Sequence, residues 1–172
     1  NQDQIYKLFN TLYVKVQELG LDINLNNINV NYLTKVFDLI DTIYFGNLIR
    51  SYIYKNNHTL NFELSGRRTR IAGTCRSTWK GRVCSYTLMI GTKIFVDAFK
   101  NNKASLTGGL ICRNPLECFL HTYVHEVVHL VIRLYCNKLG IGNGGHTPTF
   151  MKILTNLTGA TDYTHGLGLD AF

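Results

Sequence analysis

The longest run of apolar residues lies in the C-terminal half of the chain and predicts a buried helix. Asn114 can cap this helix, Pro115 suits its first turn, and Glu117 can complete a capping box. Apolar side chains then occupy nearly all sides as far as Tyr135, and we expect the helix to end near Gly140. A helix that is apolar all round indicates a position inside a domain. Its polar interruptions make it a poor membrane span.

The remaining helical periodicity predicts two helices before this one and one after it. An amphipathic helix is expected over about 3–19, and a second over about 31–45. A short helix is expected to begin at Pro148, with Thr147 as its cap, and to stop at Gly159.

Strand-like alternation of apolar and polar residues is confined to the middle of the chain. It occurs at 61–65 and again at 86–90, and we expect three or four mainly antiparallel strands within about 60–112, with residues 70–77 between two of them. Helices on both sides of a strand cluster predict an α+β fold. We expect one domain over residues 1–172, in which 1–29 form an N-terminal helical extension.

Three polar residues on the buried helix carry the candidate chemistry. His125, Glu126 and His129 have the H-E-x-x-H spacing, which puts both imidazoles on one helix face, within reach of one metal ion. Glu126 is placed to take a proton from a water molecule without being a ligand. The alternative is a core helix whose histidines are satisfied by hydrogen bonds, and burying three such groups would be costly.

A catalytic zinc needs a third protein ligand and one open position. No glutamate follows Glu126, and Ile132 and Tyr135 occupy the positions where an extended H-E-x-x-H-x-x-G-x-x-H motif has Gly and His. The remaining candidates are His146, Asp162, His165 and Asp170. We favour His146, because a Gly-rich turn and the cap of the last helix hold it near the first helix.

His121 lies one helical turn before His125 on the same face. Three ligands at i, i+4 and i+8 on one straight helix span too far to share an ion. We therefore interpret His121 as a core or supporting histidine.

The two halves of this pattern together resemble a known family. His125–His129 followed by Gly145-His146-Thr147-Pro148-Thr149-Phe150 is similar to the SprT-like (Spartan-type) zinc metalloprotease domain, whose second motif reads G-H-x-P-x-F. Residues 36–48 resemble the opening helix of that family, and Ala72-Gly73 resembles its early hairpin. The resemblance covers about residues 30–160.

The resemblance implies a zinc ion bound by His125, His129 and His146, with Glu126 as general base. It also implies hydrolysis of peptide bonds, often stimulated by DNA, in proteins that are bound or crosslinked to DNA. Many members of the family carry a zinc-binding module or a four-cysteine ribbon after the protease domain, whereas none of the five cysteines here forms a C-x-x-C pair. We expect either that this sequence is a catalytic fragment or that this member lacks the module. We interpret the cysteines as small buried residues in a reducing compartment, the nucleus or the cytoplasm.

The net charge of +7 is concentrated in one part of the chain. No acidic residue occurs between Glu63 and Asp97, whereas this interval contains seven basic residues, which are Arg67, Arg68, Arg70, Arg76, Lys80, Arg82 and Lys93. The candidate nucleic-acid-binding residues are Arg67, Arg68, Arg70, Arg76, Trp79, Lys80 and Arg82. Basic side chains attract phosphates and a tryptophan stacks on an unpaired base, but charge alone does not separate DNA binding from the alternative below. The family resemblance implies the choice, and single-stranded or locally unpaired DNA is therefore the predicted partner. The alternative is a solvated hairpin face with a buried tryptophan.

The sequence therefore predicts a monomeric zinc metalloendopeptidase, with protein substrates, DNA as a partner and no membrane contact. Tyr163 and His165 are candidates to stabilise the oxyanion. Two alternatives stay open: a non-catalytic DNA-binding or adaptor domain that keeps zinc for folding, and a general zinc peptidase without a nucleic-acid partner. A secreted toxin-like peptidase is less favoured, because nothing indicates a disulfide framework.

Overall fold

The computed structural model of the protein describes residues 1–67, 71–100, 105–136 and 145–164. Within these ranges the chain forms six helices, a three-stranded sheet and a two-stranded ribbon. In chain order they are α1 (Gln2–Glu18), α2 (Val30–Phe45), α3 (Leu48–Lys55), β1 (Thr59–Ser65), β2 (Gly73–Lys80), β3 (Val83–Gly91), α4 (Lys93–Lys100), β4 (Ser105–Thr107), β5 (Leu110–Cys112), α5 (Pro115–Tyr135) and α6 (Pro148–Thr158). This arrangement confirms the α+β class and the helices on both sides of a small sheet.

The main sheet has the order β1–β3–β2, and two of the three strand pairings in the described residues are antiparallel. β1 runs parallel to β3, whereas β2 and β3 form an antiparallel hairpin closed by Gly81 and Arg82. β4 and β5 form a separate antiparallel ribbon. β2 is thus an edge strand of the sheet, and its register places Gly73 opposite Ile90 and Lys80 opposite Val83.

Two short helices were not predicted. α3 starts after a break at Gly46 and Asn47, which both have positive φ, and its first amides donate to the side chain of Asp41 at 3.1 Å (Ile49 N) and 2.9 Å (Arg50 N). This capping carboxylate lies on α2, outside the local pattern that usually announces a helix. α4 falls within the interval expected to contain strands, so the interpretation of 60–112 as all sheet was wrong.

The segment 70–77 was predicted to lie between strands, and this was wrong for its second half. Residues 73–77 belong to β2, while residues 68–70 lie outside the described residues. Ala72 and Gly73, which resembled an early hairpin, lead directly into this strand.

α5 is the central helix of the fold and is buried along almost its whole length. It packs against β2 and β3 on one side and against α4 and α6 on others. The hydroxyl of Tyr123 donates to the carbonyl of Leu33 at 2.8 Å and ties α5 to α2. α1 packs on α2 and α6, burying Leu12 and Val16. No helix among the described residues is both long and apolar enough to cross a membrane.

The predicted start of α5 is confirmed, but its predicted end is not. Asn114 caps the helix by accepting from Glu117 N at 3.0 Å. The Glu117 carboxylate accepts from Arg113 N at 2.7 Å and not from the amide of the cap residue, so the predicted capping box is shifted by one residue. The helix ends at Tyr135, before the predicted end near Gly140, which itself lies outside the described residues.

Candidate metal centre

Three imidazoles from two separate segments converge on one point. The Nε2 atoms of His125 and His129 are 3.2 Å apart, those of His125 and His146 are 3.1 Å apart, and those of His129 and His146 are 3.2 Å apart. His125 is buried, and the other two are partly exposed. The structure thus brings His146 to the H-E-x-x-H face, as predicted.

This triangle fits a tetrahedral metal ion. Zinc–nitrogen bonds of about 2.0–2.1 Å at tetrahedral angles place ligand nitrogens about 3.3 Å apart, close to the three distances above. Each ring nitrogen has a single proton or a single lone pair, so hydrogen bonds cannot satisfy all three contacts at once. The group could therefore hold a metal ion through three imidazole nitrogens. Zinc, nickel, copper and iron all accept imidazole, so the donor set alone does not name the metal.

Of the other candidate ligands only Asp162 is described, and it does not join this group. Its carboxylate accepts from the amide and hydroxyl of Thr164 at 2.8 and 2.7 Å and is not among the clustered ligand atoms. His165 and Asp170 lie outside the described residues.

His121 is not a member of the group either. Its ring stacks on Phe9 at a centroid distance of 4.0 Å, and its buried Nδ1 has no hydrogen-bond partner among the described residues. Burial lowers the pKa of His121 to about 4, so this imidazole is neutral at ordinary pH. The geometry favours its interpretation as a core histidine.

Local chain geometry explains how His146 reaches α5. Thr147 caps α6 by accepting from Phe150 N at 3.2 Å, and Pro148 takes the first turn. Gly145 has a φ of +86°, and a Cβ there would stand 3.3 Å from Nδ1 of His129. The positive φ therefore favours glycine in this turn, and a Cβ would also make a tight contact that pushes on the His129 ring.

The ring of Phe150 packs against all three imidazole rings. Its ring stacks on His129 at 4.2 Å, and lies 4.8 Å from His125 and 5.0 Å from His146, measured between ring centroids. The sequence indicated Phe150 as an apolar position of α6 and as the last residue of the G-H-x-P-x-F motif, without a role at the site. Its contact with every imidazole shows that it also fixes their orientation.

The cluster lies in an open cleft of about 360 Å³. One wall is the start of β2, and another is Tyr163, whose ring is parallel to that of His146 at 4.5 Å. Three hydrogen bonds join the Tyr163 segment to Gly108 in the β4–β5 turn. Thr161 N and Asp162 N donate to Gly108 O at 2.9 and 3.4 Å, and Gly108 N donates to Thr164 O at 2.7 Å. Tyr163, a predicted oxyanion stabiliser, thus lines the cleft, whereas His165 lies outside the described residues.

Glu126 lines the same cleft and is only 4% exposed. Burial raises the pKa of its carboxyl to about 8, while the Arg133 guanidinium acts in the opposite direction. The β2 backbone passes directly over this side chain, since a Cβ on Gly73 would stand 2.7 Å from Cγ of Glu126. Gly73 is thus the residue that lets the edge strand approach the carboxylate.

Arg133 also lines the cleft, and sequence reasoning missed it. Its Nη1 donates to Oγ of Ser77 on β2 at 2.7 Å. The available signal was its spacing, because Arg133 follows His129 by four residues and so continues the same helix face.

The predicted DNA-binding residues that the structure describes lie at separate places on the sheet. Arg67 is exposed after β1, and Lys80 and Arg82 are exposed around the hairpin turn. Arg76 forms an ion pair with Glu63, with 2.6 Å between Nη2 and Oε2. Arg68 and Arg70 lie outside the described residues.

Trp79 is not buried, which excludes the alternative of a tryptophan in the core. It is 48% exposed, and its ring meets His58 edge-on at 5.5 Å. On a strand, successive side chains point to opposite faces, so Trp79 lies on the face of Ser77, and Arg76 and Lys80 lie on the other. The aromatic and basic groups of β2 are thus split between two faces.

The site geometry is the basis for any functional assignment of this chain. Comparison with protein-family models, with curated proteins and with solved structures found no significant match.

Proposed function

We propose that the protein is a zinc-dependent endopeptidase that acts on proteins bound or crosslinked to DNA. The observation that carries the proposal is the convergence of His125, His129 and His146 within 3.2 Å of one another, beside a buried carboxylate in an open cleft. Three protein ligands beside a cleft are typical of catalytic zinc, whereas structural zinc is usually closed by a fourth ligand. Zinc bound there would supply Lewis acidity and lower the pKa of water.

Glu126 is the proposed general base. Its burial raises its pKa to about 8, and the charge of a bound cation would lower it again towards the range in which a carboxylate both accepts and releases a proton. It would take the proton from the attacking water and deliver it to the leaving amine. Tyr163 is the proposed donor to the oxyanion, because its phenol lines the cleft beside His146.

The edge strand β2 supports a peptide as the substrate. Its first residues line the cleft, and the strand has a neighbour on one side only within the described sheet. An extended peptide can add to such an edge through backbone hydrogen bonds. This mode would lay the scissile bond across the three imidazoles, next to Gly73 and Glu126.

The DNA part of the proposal rests on charge. The net charge is +7, and the β2–β3 hairpin exposes Trp79, Lys80 and Arg82. Such a surface attracts the phosphates of single-stranded or locally unpaired DNA. Nuclear or cytoplasmic localisation follows from this proposal, and is consistent with the lack of any disulfide among the five cysteines, all of them in the described part of the chain.

The decisive experiment is a cleavage assay on a basic protein, with and without single-stranded DNA, using protein loaded with one equivalent of zinc. Glu126→Gln is the matched variant, because it keeps the shape of the side chain. We expect it to retain zinc and to lose about 10²–10⁴-fold in rate, the usual contribution of a general base. A chelator should abolish wild-type cleavage.

Three results would contradict the proposal in different ways. Cleavage by Glu126→Gln at the normal rate would reject the assigned base. Zinc binding without any cleavage would favour a non-catalytic adaptor. If charge reversal of Arg67, Arg68 and Arg70 left both DNA affinity and DNA stimulation unchanged, a general zinc peptidase would replace the DNA-directed enzyme.

A further inference from the structure

Arg133 is one of three described arginines, with Arg67 and Arg82, that pair with no carboxylate, and of these three it is the one that lines the cleft of the three imidazoles. Arg50, Arg76 and Arg113 each pair with a carboxylate, of Asp38, Glu63 and Glu117 respectively. Arg133 has no carboxylate within 4.0 Å among the described residues, although it is exposed and lines the cleft of the three imidazoles.

The guanidinium of Arg133 is held in place by a neutral group. Its Nη1 donates to Oγ of Ser77 at 2.7 Å, across the boundary between α5 and β2. A serine hydroxyl orients the planar head without neutralising its charge. The guanidinium also interacts with the thiol of Cys75, which is neutral as well, since burial raises its pKa. A guanidinium has five N–H donors, so enough remain to bind a carboxylate with two parallel hydrogen bonds.

The distance between Glu126 and Arg133 along α5 determines which residue of a bound peptide would lie beside the guanidinium. Seven residues separate it from Glu126, which is about 10 Å along the helix axis. On β2, Gly73 lies against Glu126, and Ser77 contacts Arg133. An extended peptide advances about 3.3 Å per residue, so the guanidinium would meet a side chain about three residues from the bond above Glu126.

We propose that Arg133 is a specificity-determining residue that binds a carboxylate of the peptide substrate about three residues from the scissile bond. This inference rests on the proposed peptidase function and adds the substrate class: peptides with an acidic group on the Arg133 side of the cleft. The carboxylate has two possible sources, an aspartate or glutamate side chain and a free C-terminus. A free C-terminus would make the enzyme act near chain ends.

The test uses internally quenched peptides of alanine, serine and glycine with one glutamate moved through successive positions, each matched by a glutamine peptide. All are made with free and with amidated C-termini. For the zinc-loaded protein we expect kcat/KM to be about tenfold higher with glutamate at one position, as a charge-assisted bidentate pair provides. Preference for the free over the amidated form would identify the C-terminus as the source.

Three variants give a graded readout. Arg133→Gln should bring the glutamate and glutamine peptides to within about twofold of each other, and Arg133→Lys should keep a reduced preference, because it retains the charge without the fork. Ser77→Ala should weaken the preference partly. Lys35→Gln, which removes one exposed charge from α2, is the control and should leave the preference unchanged. Retention of the full preference by Arg133→Gln would overturn the inference.

A binding assay separates this inference from the proposed function. Anisotropy of the same peptides, labelled, on the Glu126→Gln variant needs no cleavage. Tighter binding of the glutamate peptide that disappears on adding Arg133→Gln would support carboxylate recognition even if no peptide were cleaved, which would reject only the peptidase. Equal binding and equal cleavage of both peptides would reject the role of Arg133. If Arg133→Gln weakened only the binding of single-stranded DNA, the residue would be a phosphate contact, and the inference would be wrong.

Discussion

The histidine cluster and the basic hairpin are the two regions that the sequence offered as functional, and the fold arranges them in opposite ways. The imidazoles of α5 and of the start of α6 converge to within 3.2 Å, supported by the single ring of Phe150. The basic and aromatic residues of β2 diverge to two faces, and one of them, Arg76, is paired with Glu63.

This difference follows from what each region requires of the chain. Ligands to one ion must meet at a point, so their backbones are fixed by caps, by a glycine turn and by aromatic packing. Phosphate attraction acts over several ångströms and needs only excess positive charge. An excess of basic residues in the sequence thus does not define the position of a site. The spacing of the histidines does, because it brings their side chains together.

Removing one of the three clustered imidazoles should give the largest effect, a loss of zinc affinity. We expect His146→Ala to lower zinc affinity by more than about a hundredfold, since losing a ligand exceeds the 10–100-fold cost of losing its supporting groups. Metal analysis after dialysis measures this directly. Full zinc occupancy in the variant would move the third ligand elsewhere, with Asp162 and His165 the next candidates.

The buried carboxylate predicts a dependence of stability on pH in protein stripped of metal by a chelator. The pKa of Glu126 is raised from 4.5 to about 8 in the folded protein, so its burial costs nothing below pH 4.5 and destabilises progressively as the pH rises to about 8. Glu126→Gln removes this ionisation. At about pH 9 we expect its free energy of unfolding to exceed that of the wild type by up to a few kcal/mol, measured by denaturant titration. If the free energy of unfolding depended on pH in the same way in both proteins, the raised pKa of Glu126 would be contradicted.

A single added methyl group, in Gly73→Ala, would disturb the close contact between β2 and Glu126. In Gly73→Ala the new Cβ would stand 2.7 Å from Cγ of Glu126, so the carboxylate must move while the imidazoles keep their places. We expect unchanged zinc content and a fall in kcat of about tenfold or more, because misplacement of a catalytic group by about 1 Å is costly. Gly66→Ala is the matched control, since its Cβ would meet nothing within 4 Å. An equal loss in both variants would point to a general effect on folding.

The basic hairpin should respond more weakly and in proportion to charge. Lys80→Gln and Arg82→Gln should each lower the affinity for single-stranded DNA about two- to threefold and reduce the slope of log K against log salt by about 0.7. Arg76→Gln should do less, because Glu63 already neutralises that guanidinium. Anisotropy across a salt series measures both quantities. The same loss in Lys35→Gln on α2 would show that overall charge, and not the hairpin, attracts DNA.

The sequence predicted the helices whose first residues form a recognisable local capping pattern. Asn114 before Pro115 and Thr147 before Pro148 mark the starts of α5 and α6, and the structure has both. His146 could be selected because its neighbours in the sequence define a helix start next to a glycine-rich segment.

What the sequence could not predict depends on contacts between distant segments. α3 is capped by Asp41 of the preceding helix, and Gly73 matters only because β2 crosses Glu126. Arg133 was passed over because nothing in its surroundings says that Ser77, 56 positions earlier, would anchor it. Such pairings are set by tertiary packing, which local periodicity does not encode.

The attachment of the Tyr163 segment to Gly108 has a consequence for how this cleft can vary. The wall beside His146 belongs to no helix or strand and takes its position from a ribbon turn more than 50 residues upstream. Gly109 sharpens this dependence, since a Cβ there would collide with Oγ1 of Thr161 at 2.1 Å. The width of the opening can therefore be changed by substitutions in a remote turn, without altering the three imidazoles or Glu126.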